Sequence, residues 1–402
     1  RIIEGNDGGL YFTYDLGENW TKIDNIPFTQ FYAIEVDNTN PERIYGGTQD
    51  NSTVRTLTGD LDDWNVILGG DGFYTLVDFT SPNIVYAEYQ YGMLFKSTNT
   101  GSDMYGIYGD FEDDRKNWSS PLVMDPITPE TLYFGTYRVW KSTNAGENWN
   151  PVSDDLTDGD DGSSYHTITT LAVSPVSTDI VVAGTDDGNV HLTLDGGGMW
   201  NDVTAGLPDR WITRVAADPF DIGTIYVTVS GFRWDEEVAH VYKSIDFGMS
   251  WESISSNLPD IPVNCIALDP NIPNRIFVGT DSGIFFTETG GEYWESISSG
   301  MPNVPITDIK IHNDTRFLYV GTYGCSSYKI DIDTQFTDVQ SENVIKPVGN
   351  LKQNYPNPFV LSGTERASST AISYEIHKKD VTKAEITVYN IKGRKIKVLG
   401  NL

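Results

Sequence analysis

The sequence predicts an all-β fold, a β-propeller built from four-stranded antiparallel blades. Three observations support this: an octet that recurs along the chain, a constant order of strand-like segments between octets, and no helical periodicity. The 402 residues include 38 Gly, 22 Tyr and 10 Trp. Aromatic and β-branched residues favour strands, and Gly favours tight turns.

The octet first appears as TYDLGENW (13–20). It returns as STNAGENW (142–149), TLDGGGMW (193–200), SIDFGMSW (244–251) and TETGGEYW (287–294). The last three spacings are 51, 51 and 43 residues, and the first spacing, 129, is three times 43. Degenerate copies are therefore expected inside it, and TLTGDLDDW (56–64) and STNTGSDM (97–104) stand at those places. A period of roughly 40–50 residues marks a repeat architecture.

Each repeat has the same order of segments. An apolar run such as LVMDP (122–126) is followed by a β-branched run that ends in Gly-Thr, such as TLYFGT (131–136). A third strand runs into the octet, and a fourth starts at its Trp. Radial repetition of such blades makes a propeller. The chain begins with strands two to four of a blade and ends near 331 with strands one to three, so we expect seven blades, with an incomplete eighth as the alternative.

The octet itself predicts the turn between strands three and four. Its first-position Ser or Thr and third-position Asp or Asn can accept hydrogen bonds from nearby backbone N–H groups. Its fifth-position Gly accepts a positive φ. Its Trp is expected to fill the seam against the next blade.

The octets, with FYAIEVDNTNPERIYGGTQDNST, GGDGF and VGTYG, resemble the Asp-box (BNR) repeats of sialidase-like and sortilin-like propellers. Residues 1–331 as a whole resemble the BNR group related to glycoside hydrolase family 74 xyloglucanases. The resemblance implies that ligands bind opposite the octets, on loops between strands two and three and between blades. Some relatives hold tandem rings, so this chain could be the second ring of a longer protein.

From residue 347 the composition changes. LKQNYPNPF, TAISYEI and AEITVYNIKGRKIKVL resemble the C-terminal sorting domain of type IX secretion, which is FlgD-like and immunoglobulin-like. We therefore expect a linker over 332–349 and an incomplete immunoglobulin-like sandwich over 350–402, with strands at 370–376, 384–391 and 395–399. The incomplete sandwich would have an open edge strand. We expect this edge to result from truncation or, alternatively, to pair with a strand from another chain, and such pairing would allow self-assembly. The resemblance implies the secretion machinery as a partner and an extracellular or outer-surface location.

Charge and composition exclude several classes. The net charge is −30, and because 347–402 carry nine Lys/Arg and four Asp/Glu, the rest of the chain is at −35. Such a surface disfavours nucleic acid and anionic lipid and suits a neutral or cationic ligand. The sequence has no apolar run of about 18 residues, so no transmembrane segment is predicted. The chain opens inside a repeat, which we interpret as an interior cut. Cys265 and Cys325 form no disulfide framework or zinc motif, and neither a metal nor another cofactor is predicted.

The candidate ligand-binding residues are those that the strand two–three loops and inter-blade loops bring to the channel mouth: Gln49, Asp50, Asp71, Tyr89, Tyr91, Tyr137, Arg138, Trp211, Arg233 and Trp234. The same loops carry Asp186, Asp187, Phe232, Asp281, Tyr323 and His166. Aromatic rings beside carboxylates and amides suit carbohydrate, with Trp211 and Trp234 as platforms. Trp211 and the three tyrosines can equally be packing residues.

The leading hypothesis is an exported propeller that binds a polysaccharide or an extracellular protein without catalysis. A family 74 type hydrolase is the first alternative, because hydrolysis of a β-glucan needs two carboxylates and Asp50 and Asp71 lie in Gly-flanked loops. A structural subunit of an extracellular assembly is the second. A sialidase is disfavoured because its three-arginine clamp could draw only on Arg138, Arg214 and Arg233. The acidic run 154–166 lacks the alternation of a calcium loop and is expected to be solvated.

Overall fold

The computed structural model describes residues 1–6, 9–23, 28–162, 165–231, 240–298 and 300–333, and the backbone of 349–351, 374–376, 385–389 and 395–401. The chain divides into two compact units, Arg1–Ile332 and Asp333–Leu402. In the described part, the helical structure is one short 3-10 turn, Gln90–Gly92. No helix there is long and apolar enough to cross a membrane.

The first unit contains a series of antiparallel meanders whose strands pair in chain order. A three-stranded sheet comes first, with β1 (Ile2–Asn6), β2 (Gly9–Thr13) and β3 (Thr21–Lys22). Blade 1 contains β4 (Phe31–Val36), β5 (Ile44–Thr48), β6 (Thr53–Thr56) and β7 (Asn65–Leu68). Blade 2 contains β8 (Gly72–Val77), β9 (Val85–Tyr89), β10 (Met93–Ser97) and β11 (Tyr105–Ile107). Blade 3 contains β12 (Leu122–Met124), β13 (Leu132–Gly135), β14 (Val139–Ser142) and β15 (Asn150–Pro151).

Blades 4 to 7 complete the series. Blade 4 contains β16 (Ile168–Val173), β17 (Val181–Thr185), β18 (Val190–Thr193) and β19 (Trp200–Asp202), and blade 5 contains β20 (Ile212–Ala217), β21 (Ile225–Val229), β22 (Val241–Ser244) and β23 (Glu252–Ser253). Blade 6 contains β24 (Val263–Leu268), β25 (Ile276–Thr280), β26 (Gly283–Thr287) and β27 (Glu295–Ser296). Blade 7 contains β28 (Ile306–His312), β29 (Phe317–Thr322) and β30 (Ser327–Asp331).

Among the described residues, seven blades close a ring. The first strand of each blade packs against the first strand of the next, and β28 packs against β4. Several hydrogen bonds join the ends of the ring. Among them, the backbone N–H of Ile34 donates to Asp308 Oδ2 at 3.1 Å, and Tyr319 Oη donates to the Pro41 carbonyl at 2.8 Å. The predicted all-β propeller is confirmed. The ring closes without β1–β3, which form a separate sheet.

Glycine in the second strand lets neighbouring blades approach. A Cβ at Gly184 would lie 2.5 Å from Ile212 of the next blade, and one at Gly279 would lie 2.6 Å from Ile306. These are the glycines of the Gly-Thr pattern. In blade 2 the corresponding residue is Glu88, which is 0% exposed and accepts hydrogen bonds from the backbone N–H of Ser120 at 2.7 Å and of Tyr74 at 3.3 Å.

The octets form the predicted turns. In the first, the N–H of Gly17 donates to Thr13 Oγ1 at 3.2 Å and the N–H of Asn19 donates to Asp15 Oδ1 at 3.0 Å. The same pair of bonds closes the octets that begin at residues 97, 142, 193, 244 and 287, and in each the fifth-position Gly has a positive φ. The copy at 56–64 differs, because Asp63 Oδ2 accepts from the N–H groups of Leu57 and Thr58.

Octet tryptophans in the ring, such as Trp251 and Trp294, seal the seam with the preceding blade, so the expectation that they face the next blade is wrong. Trp294 Nε1 donates to the carbonyl of Ile254 at 2.8 Å, and Trp251 Nε1 donates to that of Val203 at 2.7 Å. The reason is that the octet turn lies over the end of the preceding blade. A Cβ at Gly291, in the same octet as Trp294, would lie 2.5 Å from Ile254.

In the second unit, β31 (Gly349–Leu351) pairs with β32 (Tyr374–Ile376), and β33 (Glu385–Tyr389) pairs with β34 (Lys395–Asn401), both antiparallel. The last three fall within or over the strands that the sequence predicts. The NYPNPF segment (354–359) lies outside the described residues. The immunoglobulin-like arrangement, the sorting role and the 332–349 linker therefore stay predictions.

Candidate functional site

The strand 2–3 face is our name for the surface formed by the loops between the second and third strands and by the linkers between blades. The first strands start at this face and run towards the opposite one, which carries the octets. Of the predicted ligand residues, Arg233 and Trp234 lie outside the described residues, as does Phe232. The others fall into separate groups rather than one ring around the channel mouth.

The first group contains Asp50 and Asp71, which the fold brings together. The backbone N–H of Asp50 donates to Asp71 Oδ1 at 2.6 Å, and Asp50 has a φ of 55°. The N–H of Ser52 also donates to the carbonyl of Gly70 at 2.8 Å. Asp71 is 6% exposed, whereas Asp50 is exposed. Asp71 therefore holds the Asp50 loop in a left-handed conformation that non-Gly residues adopt only when the surroundings fix it.

An aromatic wall lies beside these carboxylates. Tyr32 stacks on Phe73 with ring centroids 4.8 Å apart, and Trp118 meets Phe73 edge-on at 5.8 Å. Tyr91, 53% exposed, meets Trp118 edge-on at 4.8 Å. Tyr323 Oη hydrogen-bonds to Gln49 Oε1 across the ring closure.

Burial raises the pKa of Tyr32 to about 12, and the neighbouring Tyr323, Asp71 and Asp50 add to that rise. The sequence reasoning named Tyr91, Tyr323 and Gln49 but missed Tyr32, Phe73 and Trp118. The signal that could have found Trp118 is the long linker between β11 and β12 in which it stands.

Tyr89, Tyr137 and Arg138 are engaged in packing. Tyr89 covers the backbone of Gly70, where an added Cβ would lie 1.9 Å from its ring. Arg138 donates from Nε and Nη2 to the two carboxylate oxygens of Asp114, both at 3.0 Å, and this pairing raises the pKa of Arg138. The Arg138 guanidinium also lies 5.1 Å from the Tyr137 ring centroid. A ligand role for these three residues stays a prediction.

The second group surrounds Trp211, where a cavity of about 600 Å³ crosses blades 4, 5 and 6. Trp211 is 36% exposed and Tyr165 is 42% exposed. The rest of the lining is largely polar, with Asp186, Asp209, Arg210, Thr213, Ser230, Pro262, Asn264, Asp281 and Pro305. Asp186 accepts from the N–H and Oγ1 of Thr167 at 2.8 and 2.7 Å, and Asp281 accepts from Asn264 Nδ2 at 2.9 Å. Burial raises the pKa of Asp186.

His166 follows Tyr165, a lining residue of this cavity, in the sequence, and two carboxylates contact its ring. Its Nδ1 is 2.7 Å from Asp187 Oδ2 and its Nε2 is 3.4 Å from Asp161 Oδ2. The hydrogen bond with Asp187 raises the pKa of His166. Within the part of the chain that the structure describes, no group of three or more His, Cys, Asp or Glu side chains is arranged to hold a metal ion.

The two groups lie on opposite sides of the central channel, which is closed between them. Arg214 of blade 5 reaches across to Tyr74 of blade 2, where its Nη1 donates to the Tyr74 hydroxyl at 2.7 Å. Its Nη2 lies 3.3 Å from Asp308 Oδ1 of blade 7. Side chains of blades 2, 5 and 7 therefore meet across the channel at this level.

Comparison with known proteins gives the fold. No family model matches the chain, and no curated protein matches it. The chain is similar to the GH74 enzyme of Niastella koreensis with a TM-score of 0.59 and 19% identity, over 76% of this chain and 53% of that one. It is similar to YCF48 from Cyanidioschyzon merolae with a TM-score of 0.58 and 13% identity, over 76% of this chain and 96% of that one.

YCF48 bound to D1 peptide is also similar, with a TM-score of 0.56 and 12% identity, over 77% of this chain and 95% of that one. The chain spans about half the length of the GH74 enzyme that it matches, 53%. At these identities the likeness shows the β-propeller fold alone.

Proposed function

We propose that this chain is a non-catalytic binding propeller that holds an extended polymer, a polysaccharide or a polypeptide, across its strand 2–3 face. The observation that carries the proposal is the Trp211 cavity, a concave site of about 600 Å³ that spans three blades. Ligand sites are commonly concave, with aromatic surface and a few convergent polar groups.

The chemistry of the cavity fits an uncharged or cationic ligand. The Trp211 and Tyr165 rings offer apolar faces on which sugar C–H groups or side chains can stack. Asp186, Asp209 and Asp281 offer acceptors, and Asn264 offers both acceptor and donor groups. Three carboxylates against the single guanidinium of Arg210 disfavour an anionic ligand.

The sequence supports a more specific setting. The octets and the FYAIEVDNTNPERIYGGTQDNST segment support membership of the Asp-box (BNR) group, with residues 1–331 as the propeller. The LKQNYPNPF segment supports residues 350–402 as a type IX sorting domain, and hence an extracellular or outer-surface location. GH74 enzymes and peptide-bound YCF48 share the fold, and the two give precedents for both ligand classes.

The test is a binding screen of the chain on glycan arrays and peptide arrays, followed by calorimetry on the best ligand. Trp211→Ala should weaken that ligand about tenfold or more, because an aromatic anchor contributes at least about 1.4 kcal/mol. Trp20→Ala is the matched control, since Trp20 is comparably exposed (41%) but lies in the separate β1–β3 sheet. Equal weakening by both variants, or by neither, would contradict the proposal.

The alternative is a glycoside hydrolase, and one observation favours it: Asp50 and Asp71 meet at the edge of an exposed aromatic wall. Against it stands the use of Asp71 Oδ1 as an acceptor for the Asp50 N–H. Xyloglucan and other β-glucans should be incubated with the chain and with Asp50→Asn and Asp71→Asn. Release of oligosaccharides by the unchanged chain but by neither variant, with unfolding midpoints preserved, would replace binding by hydrolysis.

A further inference from the structure

A second cavity, of about 670 Å³, occupies the central channel on the octet side of the Arg214–Tyr74 contact. First-strand residues line its walls, and the loops after those strands line its mouth, among them Asn38, Asp125 and Asn313. The cavity therefore opens on the octet face, away from the Trp211 cavity. Neither the octet turns nor the proposed polymer-binding face accounts for it.

The floor of this channel cavity is closed by a network of side chains. Tyr74, Arg214 and Asp308 are each the third residue of their first strand. Arg214 donates to the Tyr74 hydroxyl and to the Thr307 carbonyl, at 2.7 and 3.4 Å. Asp308 is 4% exposed, and its Oδ2 accepts from the Ile34 N–H. These groups are satisfied by one another, so the floor has a structural role in joining blades across the axis.

Lys310 and Glu35 are different. Each is the fifth residue of its strand, so it lies roughly 6–7 Å nearer the mouth than the floor residues, at about 3.3 Å per residue. Lys310 Nζ is 3.6 Å from Glu35 Oε2 and 3.8 Å from Asp308 Oδ2, both beyond hydrogen-bond range. The Lys310 side chain is 34% exposed and lines the cavity, so a ligand there can reach its ammonium group, which has three donors.

Burial affects the two charges of this pair differently. Burial opposes the charge on Lys310, but Asp308 and Glu35 outweigh it and raise the pKa of Lys310. Burial raises the pKa of Glu35 more than Lys310 lowers it, so an additional cation beside this carboxylate would be favourable. Other first-strand residues of the wall are apolar, among them Leu76, Leu122, Met124, Leu171, Val215 and Ile266, whereas Asp125 and Asp314 add carboxylates at the mouth.

We infer that the channel cavity binds a small zwitterion with an apolar body, of the class of a free aliphatic α-amino acid. Its carboxylate accepts from Lys310 Nζ, and its ammonium donates to Glu35. Its side chain packs against apolar wall residues such as Met124 and Ile266. A zwitterion adds no net charge and brings a carboxylate to Lys310, whose contacts with Glu35 and Asp308 are both loose, and an ammonium to Glu35. A ligand with one charge brings a new partner to only one of Lys310 and Glu35.

The experiment is a calorimetric titration of the full chain with L-leucine, N-acetyl-L-leucine and L-leucinamide. Leucine should bind at least tenfold more tightly than either derivative. Lys310→Met and Glu35→Gln should each reduce leucine affinity tenfold or more. Lys329→Met is the matched control, because Lys329 pairs with Glu42 at 3.1 Å outside the cavity, and it should leave leucine affinity unchanged.

Because Lys310 and Glu35 face the ring closure, their variants could fail to fold. Met124→Trp therefore serves as a second variant that fills the cavity and leaves every charge in place, and it too should abolish binding. No heat of binding for leucine up to 10 mM, on the order of the weakest affinity of interest, would overturn the inference. So would equal affinity for leucine and N-acetyl-leucine, or leucine affinity that survives Met124→Trp in a folded protein. None of these results bears on the Trp211 cavity.

Discussion

Trp294→Ala should destabilise the propeller by about 3–5 kcal/mol, within the range measured when a buried Trp is truncated. Trp294 is 2% exposed and belongs to a buried cluster that joins Val241 and Ile254 of blade 5 to Ile276 of its own blade 6. An indole buries about 150–250 Å², which at about 25 cal/mol per Å² amounts to roughly 4–6 kcal/mol, an upper estimate because the unfolded chain is not fully extended. Trp294→Phe should cost about 1–3 kcal/mol, chiefly because the Ile254 carbonyl loses its 2.8 Å donor.

Trp20 provides the matched control for that prediction. It ends an octet with the same turn bonds, yet it is 41% exposed. Trp20→Ala should therefore change stability by less than about 0.5–1 kcal/mol. The assay is urea unfolding followed by far-UV circular dichroism, with stability differences taken from midpoints at a common slope. A loss below about 1 kcal/mol for Trp294→Ala, or equal losses for both positions, would refute the seam role.

Two further predictions concern the interfaces between blades. Gly279→Ala should destabilise by about 1–3 kcal/mol, because its Cβ would lie 2.5 Å from Cys265 Sγ and 2.6 Å from Ile306, whereas Gly69→Ala, with nothing within 4 Å, should be close to neutral in thermal unfolding. Burial raises the pKa of Glu88 well above its ordinary 4.5, so its contribution to stability is fully present below about pH 4.5 and is lost as the pH rises towards the folded-state pKa. Unfolding midpoints between pH 4 and 8 should therefore decline less with pH in Glu88→Gln than in the unchanged protein. Parallel pH profiles of the two proteins would contradict a raised pKa for Glu88 in the folded state.

The blades and their turns could be predicted from sequence because each depends on local patterns. Period-two apolar runs become strands wherever a neighbour covers them, and the octet hydrogen bonds join residues no more than four apart, as in Thr13 to Gly17. Even the degenerate copy at 97–104 forms both bonds. The degenerate copy at 56–64 shows the limit, because Asp63 takes over the acceptor role there from another position of the segment.

The candidate site was harder to predict because its contacts join distant parts of the chain. Asp114 and Arg138 are 24 residues apart, and the segment TYRV (136–139) gives no indication that its arginine pairs with a carboxylate. The fold brings Asp50 and Asp71 together, but the direction of the Asp71 carboxylate depends on the backbone of the Asp50 loop, which the sequence does not reveal. Lys310 and Glu35, 275 residues apart, stand inside runs that read as ordinary strands, so their meeting in the channel has no sequence signal.

A comparison of the octet in β1–β3 with the octet in blade 6 shows which features the octet has by itself and which depend on a neighbouring blade. The Thr13, Asp15 and Gly17 turn forms in β1–β3, a sheet that the closed ring does not include, so the turn requires no neighbouring blade. Trp20 in that same turn remains exposed, whereas Trp294, which has a preceding blade, is buried and bonded to its carbonyl. Because the polar groups of the octet bond within the turn and its tryptophan packs in the seam wherever a blade precedes it, the fold accounts for the octet without a ligand. On the functions proposed above, recognition uses residues outside the repeat pattern, which are those of the strand 2–3 loops around Trp211 and the charged first-strand residues in the channel.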